Sequence, residues 1–138
     1  TVLKEVLILE INLADTVGYG DPVHVGGIFR DVASAVGPVP LAAHFHDTRG
    51  LGLANVMAAF DAGVRRFDAA LGGLGGCPFA PGASGNIATE DTVHLFDRLG
   101  VASGVDLAAL LDVRRALCDW LPDERLEGRL LGAGPARR

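Results

Sequence analysis

Cysteine is scarce in this sequence: Cys77 and Cys118 are the only two in 138 residues. They sit in unlike contexts, one in a glycine-rich stretch and one in a stretch of helical periodicity. Such a pair is no disulfide framework, which excludes the small stapled secreted class and predicts a reducing, cytoplasmic setting. A basic excess is also missing. Twelve Lys and Arg against 17 Asp and Glu leave a net charge of −5, with the arginines scattered, so the chain lacks the basic stripe that nucleic acid requires. The mean hydropathy is positive, at +0.33. Even so, no apolar run reaches the roughly 18 residues of a spanning helix, because Glu10 and Asn12, or His44 and His46, interrupt each candidate. No membrane partner is expected. Lys4, Glu5, Glu10 and Asp15 likewise break up any secretory leader. The chain starts at Thr1 rather than methionine, from which a processed, excised or partly represented product is expected.

What is present is a globular composition, 49% apolar, in a length suited to one compact domain. Short apolar runs alternate with longer stretches of helical period. Strands are expected at 6–13 (VLILEINL), 39–46 (VPLAAHFH) and 64–70 (VRRFDAA). The first is expected to end at the turn-forming Ala14-Asp15-Thr16. A first helix follows Asp21 as N-cap with Pro22 at its first position, presents Val25, Ile28, Phe29, Val32 and Val36, and stops at Gly37-Pro38. A second covers 51–62 with Leu53, Val56, Met57 and Phe60 on one face. Two more are expected at 88–99 and at 106–120, where Asp106 caps and Leu107, Leu110, Leu111, Leu117, Cys118 and Leu121 form the buried side. Strands and helices in alternation with short links imply right-handed βαβ units and a parallel sheet. Two architectures fit: an open doubly wound sheet, or a fraction of a (β/α)8 barrel, whose full length is roughly 250 residues.

Chemistry-bearing residues cluster where such folds place their sites. His44 and His46 are two apart on a strand, so both project to one face while Leu41, Ala43 and Phe45 take the other. That spacing makes a divalent-metal pincer or a pair of partly exposed histidines. Position favours the pincer, because parallel α/β proteins bind ligands beyond the carboxyl ends of their strands. Asp15 follows the first strand there, His44 and His46 end the second, and the glycine stretch follows the third. Asp47 is a candidate to orient one imidazole. Asp15 is a catalytic or substrate-orienting carboxylate, or a turn aspartate bonding its own backbone. Residues 71–86 (LGGLGGCPFAPGASGN) carry six glycines and two prolines and form a loop, yet they lack the Gly-Lys-Ser/Thr ending of a phosphate cradle. Cys77 within it is a small buried residue or a thiol able to exchange protons with substrate. Asn86 offers a carbonyl oxygen to a hard metal or caps the next helix, and the cap is the better reading of the residue alone. Cys118 reads as packing, Glu90 and Asp91 as first-turn acids favoured by the helix dipole, and His24 and His94 as solvated or packed.

Three stretches, LADTVGYGDP (13–22), HFHDTRGLGLAN (44–55) and GGLGGCPFAPGASGNIATED (72–91), together resemble hydroxymethylglutaryl-CoA lyase. The likeness covers most of residues 7–111. It implies a TIM barrel in which Mg2+ or Mn2+ assists cleavage of 3-hydroxy-3-methylglutaryl-CoA, an acyl-CoA substrate, to acetyl-CoA and acetoacetate. By motif, His44, His46 and Asn86 resemble metal ligands. Cys77 resembles the acid that protonates the departing enolate, His44 a proton relay and Asp15 an active-site carboxylate. Related Claisen-type synthases share the His-x-His and the Gly-Asn ending but have a Gly-Glu-Arg-type loop where this chain has Gly-Gly-Cys-Pro. The family's opening strand with its Arg-Asp pair has no counterpart here. The expectation is therefore an α/β chain of about three βα units with parallel strands and a C-terminal helix. Residues 1–122 would be the C-terminal portion of the barrel and 123–138 a tail. Association as a homo-oligomer, or with the absent barrel half, is expected, and the alternatives are an inactive half-barrel or a Claisen-type synthase.

Overall fold

The structure, a computed structural model, describes residues 8–76, 82 and 84–135. Three parallel strands, β1 (Ile11–Asp15), β2 (Leu41–Phe45) and β3 (Arg66–Asp68), lie side by side in that order. They are joined by α1 (Pro22–Val36) and α2 (Gly52–Asp61), and followed by α3 (Thr89–Arg98), α4 (Leu107–Trp120) and the short α5 (Leu130–Ala133). α1 starts where the sequence predicts. The Asp21 carboxylate accepts the amides of Val23 and His24 at 2.9 and 3.0 Å, and Pro22 occupies the first turn; such a cap contributes about 1 kcal/mol. Gly37, at φ 68°, ends the helix. Asp106 caps α4 in the same way.

The strand limits differ from the sequence reading. β1 begins at Ile11 and runs through Asp15, because its register pairs Ile11 with Leu41 and Asp15 with Phe45. Residues 8–10 have no strand beside them, and Leu9 is 76% exposed. Residues 6 and 7 lie outside the described residues. Apolar alternation marks a segment able to form a strand, but the ladder exists only where a neighbour supplies it.

The two faces of the sheet are chemically distinct. Ala43, Phe45, Phe67 and Leu13 turn toward the helices, where they pack with Val25, Phe29, Val56, Ala59, Ile87 and Phe96 in one core. The inward side of α2 centres on Asn55, Val56 and Ala59 rather than on Leu53, Met57 and Phe60. The reason is that Asn55 reaches the β1–α1 loop, donating from Nδ2 to the Gly20 carbonyl at 2.9 Å. The opposite face is polar: Arg66 pairs with Glu10, and Asn12 Nδ2 donates to Asp68 Oδ2 at 2.6 Å. No described helix covers that face, and Asn12, Ala14, Arg66 and Asp68 are exposed.

Beyond Trp120 the chain turns back instead of trailing away. Leu130 is 5% exposed, and Asp91 accepts the Arg129 and Leu130 amides at 2.7 and 2.9 Å. The buried side of α4 consists of Leu111 and, unexpectedly, Arg114.

Candidate metal centre

β2 carries both imidazoles to the carboxyl end of the sheet, the His44 and His46 ring centroids lying 5.2 Å apart at 47°. Directly opposite His46 is Asn86, in an isolated antiparallel bridge. The flanking bonds, Asp47 N to Gly85 O and Ile87 N to Phe45 O, both 3.0 Å, make His46 and Asn86 a non-hydrogen-bonded pair. In such pairs the Cα atoms approach to about 4.5 Å and the side chains sit closest. Residues 85–88 thus act as a strand-like strap across the ends of β2 and β3, a role the glycine-rich composition concealed. Asn86 does not cap the helix after it. Its Nδ2 donates to the Leu74 carbonyl at 2.6 Å, and the residue before α3 is Ala88, without a side-chain cap.

This arrangement leaves specific atoms without partners. His46 Nδ1 and Asn86 Oδ1 are buried and make no hydrogen bond among the described residues. Buried polar atoms are ordinarily satisfied, so a pair of orphans on facing side chains marks a place for a ligand. Burial pushes the His46 pKa below the ordinary histidine value; the neighbouring His44 pushes it further the same way, against a smaller opposing pull from Asp15. A neutral imidazole is the form that binds metals. Among the described residues no three His, Cys, Asp or Glu side chains converge as a metal-holding group; the candidate set is two imidazoles and an amide oxygen.

The carboxylates play other parts than the sequence suggested. Asp47 does not orient an imidazole. Its Oδ1 accepts the Gly52 amide at 2.7 Å and so fastens the start of α2. The carboxylate beside an imidazole is Asp68, whose Oδ2 lies 3.5 Å from His44 Nδ1 and also accepts from Asn12. Strand register pairs His44 with Asp68, and period-two alternation from Phe67 puts Asp68 on the histidine face; only the register was needed to find it. Asp15 stands at the end of β1, accepting the Tyr19 and Gly20 amides at 2.9 and 2.7 Å, and His46 N donates to its carbonyl. Cys77 lies outside the described residues. Glu90 lies in the first turn of α3, as the sequence suggests, and is fully buried against Arg114.

The HMGL-like family model matches residues 1–117 of the chain. The chain belongs to the HMGL-like family. Among its HMGL-like relatives is the (R)-citramalyl-CoA lyase of Chloroflexus aurantiacus, 53% identical over 112 residues, covering 81% of this chain and 34% of that protein. The hydroxymethylglutaryl-CoA lyase of Pseudomonas mevalonii is 50% identical over 111 residues, covering 80% of this chain and 37% of that protein. A solved HMG-CoA lyase from Acinetobacter baumannii, in complex with coenzyme A and 3-methylmalate, superposes with a TM-score of 0.88 at 51% identity, covering 96% of this chain and 43% of that one. The chain spans only 34% to 37% of the length of the first two relatives. With HMG-CoA lyases as structural neighbours, the parallel sheet is part of a TIM barrel, not an open doubly wound sheet.

Proposed function

We propose that this chain is the metal-binding portion of an acyl-CoA lyase that cleaves 3-hydroxy-3-methylglutaryl-CoA, or a close 3-hydroxyacyl-CoA, to acetyl-CoA and acetoacetate. The observation that carries the reading is the pair of buried atoms unpartnered among the described residues, His46 Nδ1 and Asn86 Oδ1, on residues bridged across the end of β2 beside His44. Two imidazoles and an amide oxygen suit a divalent cation, Mg2+ or Mn2+. His44, His46 and Asn86 would hold it, and when bound it supplies Lewis acidity toward the substrate's oxygens. Hard cations rely on anionic oxygen, so these three neutral donors hold Mg2+ weakly until a carboxylate joins them. That carboxylate is proposed to come from the remainder of the barrel, docked along β1 and over the polar face of the sheet.

The chain's own groups then divide the proton work. The proton that leaves the tertiary hydroxyl is passed by way of His44 and its neighbour Asp68 to solvent. The carbon–carbon bond breaks with its electron pair passing to the thioester α-carbon as an enolate. The Cys77 thiol gives its proton to that carbon, completing acetyl-CoA, and the other fragment departs as acetoacetate. Asp15, bonded to two loop amides, holds the β1–α1 loop and keeps a negative charge near His46.

A second reading has its own support: the citramalyl-CoA lyase relative is 53% identical, and that substrate would release pyruvate in place of acetoacetate. The test incubates the protein, alone and combined with the N-terminal half of an HMGL-like barrel, with Mn2+ and each thioester. Acetyl-CoA with acetoacetate from the combination is the expected outcome. Acetyl-CoA with pyruvate selects the second reading, and a combination that folds and binds Mn2+ but releases neither product removes both. Asp68→Asn, which keeps the shape but discards the charge beside His44 Nδ1, is expected to weaken Mn2+ binding about tenfold; calorimetric titration measures it.

A further inference from the structure

The root of the glycine loop is fastened from behind by a network that the reaction itself does not use. Glu90 is 0% and Arg114 3% exposed. Arg114 Nε donates to Glu90 Oε1 at 2.7 Å, and Glu90 Oε2 accepts the Gly72 amide at 3.1 Å. Arg114 Nη2 donates to the Glu127 carbonyl at 3.1 Å, while the Glu127 amide donates to the Gly72 carbonyl at 2.7 Å. Both polar groups of Gly72 are therefore held by one guanidinium-centred cluster that includes the C-terminal segment. Glycine is required for this approach: Gly72 has φ +66°, and a Cβ there would stand 3.0 Å from Arg114 Nε. Two residues further on, the Leu74 carbonyl takes the Asn86 Nδ2 proton at 2.6 Å. That bond fixes which end of the Asn86 amide is free.

We propose that Arg114 is a positioning residue for the candidate metal centre. Through Glu90, Glu127 and Gly72 it sets the Leu74 carbonyl, which turns Asn86 so that its Oδ1 is presented. The proposal rests on the metal-binding reading above and deepens it. A buried ion pair is poor evidence for a contribution to stability, since well-packed apolar residues often serve as well. Arg114 Nη1 also donates to Cys118 Sγ at 2.9 Å on its own helix, but a cluster that holds both polar groups of Gly72 is better explained by placement. The cluster also gives the segment after Trp120 a task, because Glu127 contributes both its carbonyl and its amide.

Arg114→Met tests this beside Leu130→Ala, which opens a cavity under the same C-terminal segment while removing none of the cluster's hydrogen bonds. Both variants are expected to melt at lower temperature than the parent chain. Below both melting points, Arg114→Met is expected to raise the Mn2+ dissociation constant about tenfold, the lower end of what loss of a supporting partner costs. Leu130→Ala should stay within twofold. The exchange of the Asn86 side-chain amide protons, followed by NMR without metal, should quicken only in Arg114→Met. Unchanged affinity and exchange in Arg114→Met, or equal changes in Leu130→Ala, would overturn the proposal. If Arg114→Met does not fold, Arg114→Lys, which keeps a cation for Glu90 but loses the forked reach to Glu127, is held to the same two readouts. If neither the parent chain nor its combination with the N-terminal half binds Mn2+, the metal reading falls, and the Asn86 exchange alone decides whether Arg114 positions that amide.

Discussion

Gly85→Ala is expected to cost at least about 3 kcal/mol of stability, a large effect for one added methyl group. Gly85 sits at φ +112°, where an L-residue is strained, and its Cβ would overlap the Gly73 carbonyl oxygen. The obstacle is backbone, so no side-chain rotation relieves it; the glycine loop and the 85–88 strap would have to separate. The Gly85 carbonyl also holds the Asp47 amide, so the displacement reaches the residue after His46 and the residue before Asn86 together. Gly82→Ala is the control. Gly82 also has positive φ, at +76°, but a Cβ there meets no described residue within 4 Å, so only the conformational cost of about 1–2 kcal/mol is expected. Urea unfolding of the two variants measures the contrast, and similar losses in both would contradict the close approach.

His46→Ala is expected to weaken Mn2+ binding at least about 100-fold, beyond the range attributed to supporting residues, because it removes a donor outright. The side chain is 4% exposed, and burial already keeps the imidazole in the neutral form that ligation needs. A structural histidine in this position would leave a different trace. Its loss would lower the melting temperature and leave the affinity alone, since Nδ1 has no protein partner to lose. Calorimetric titration with Mn2+, paired with thermal melts, separates the two.

Local chemistry was the most legible part of this sequence. Asp21-Pro22 and Asp106 announced the starts of α1 and α4, and the His-x-His spacing put both imidazoles on one strand face before any coordinate existed. Pairing was less legible. The strand expected at 6–13 begins, among the described residues, at Ile11, where β2 runs alongside. Asn86 looked like a helix cap from its neighbours in sequence, yet its partner is Leu74, twelve residues earlier across a glycine loop whose path composition does not reveal. Asp68 escaped for a similar reason: its meaning comes from the register opposite His44. Arg114 occupies an apolar helix face, where periodicity expects leucine, because Glu90 on another helix supplies the counter-charge. In each case the missing information was a long-range neighbour, not a local propensity.

The central claim is that two imidazoles of this chain and the Asn86 amide oxygen share one divalent cation. Pulsed electron paramagnetic resonance of the protein loaded with Mn2+ reads those imidazole ligands directly. Couplings from two histidine nitrogens on a single Mn2+ per chain are expected, reduced to one in His44→Ala. Bound Mn2+ with no histidine nitrogen coupling, or couplings unchanged by that substitution, would contradict that claim.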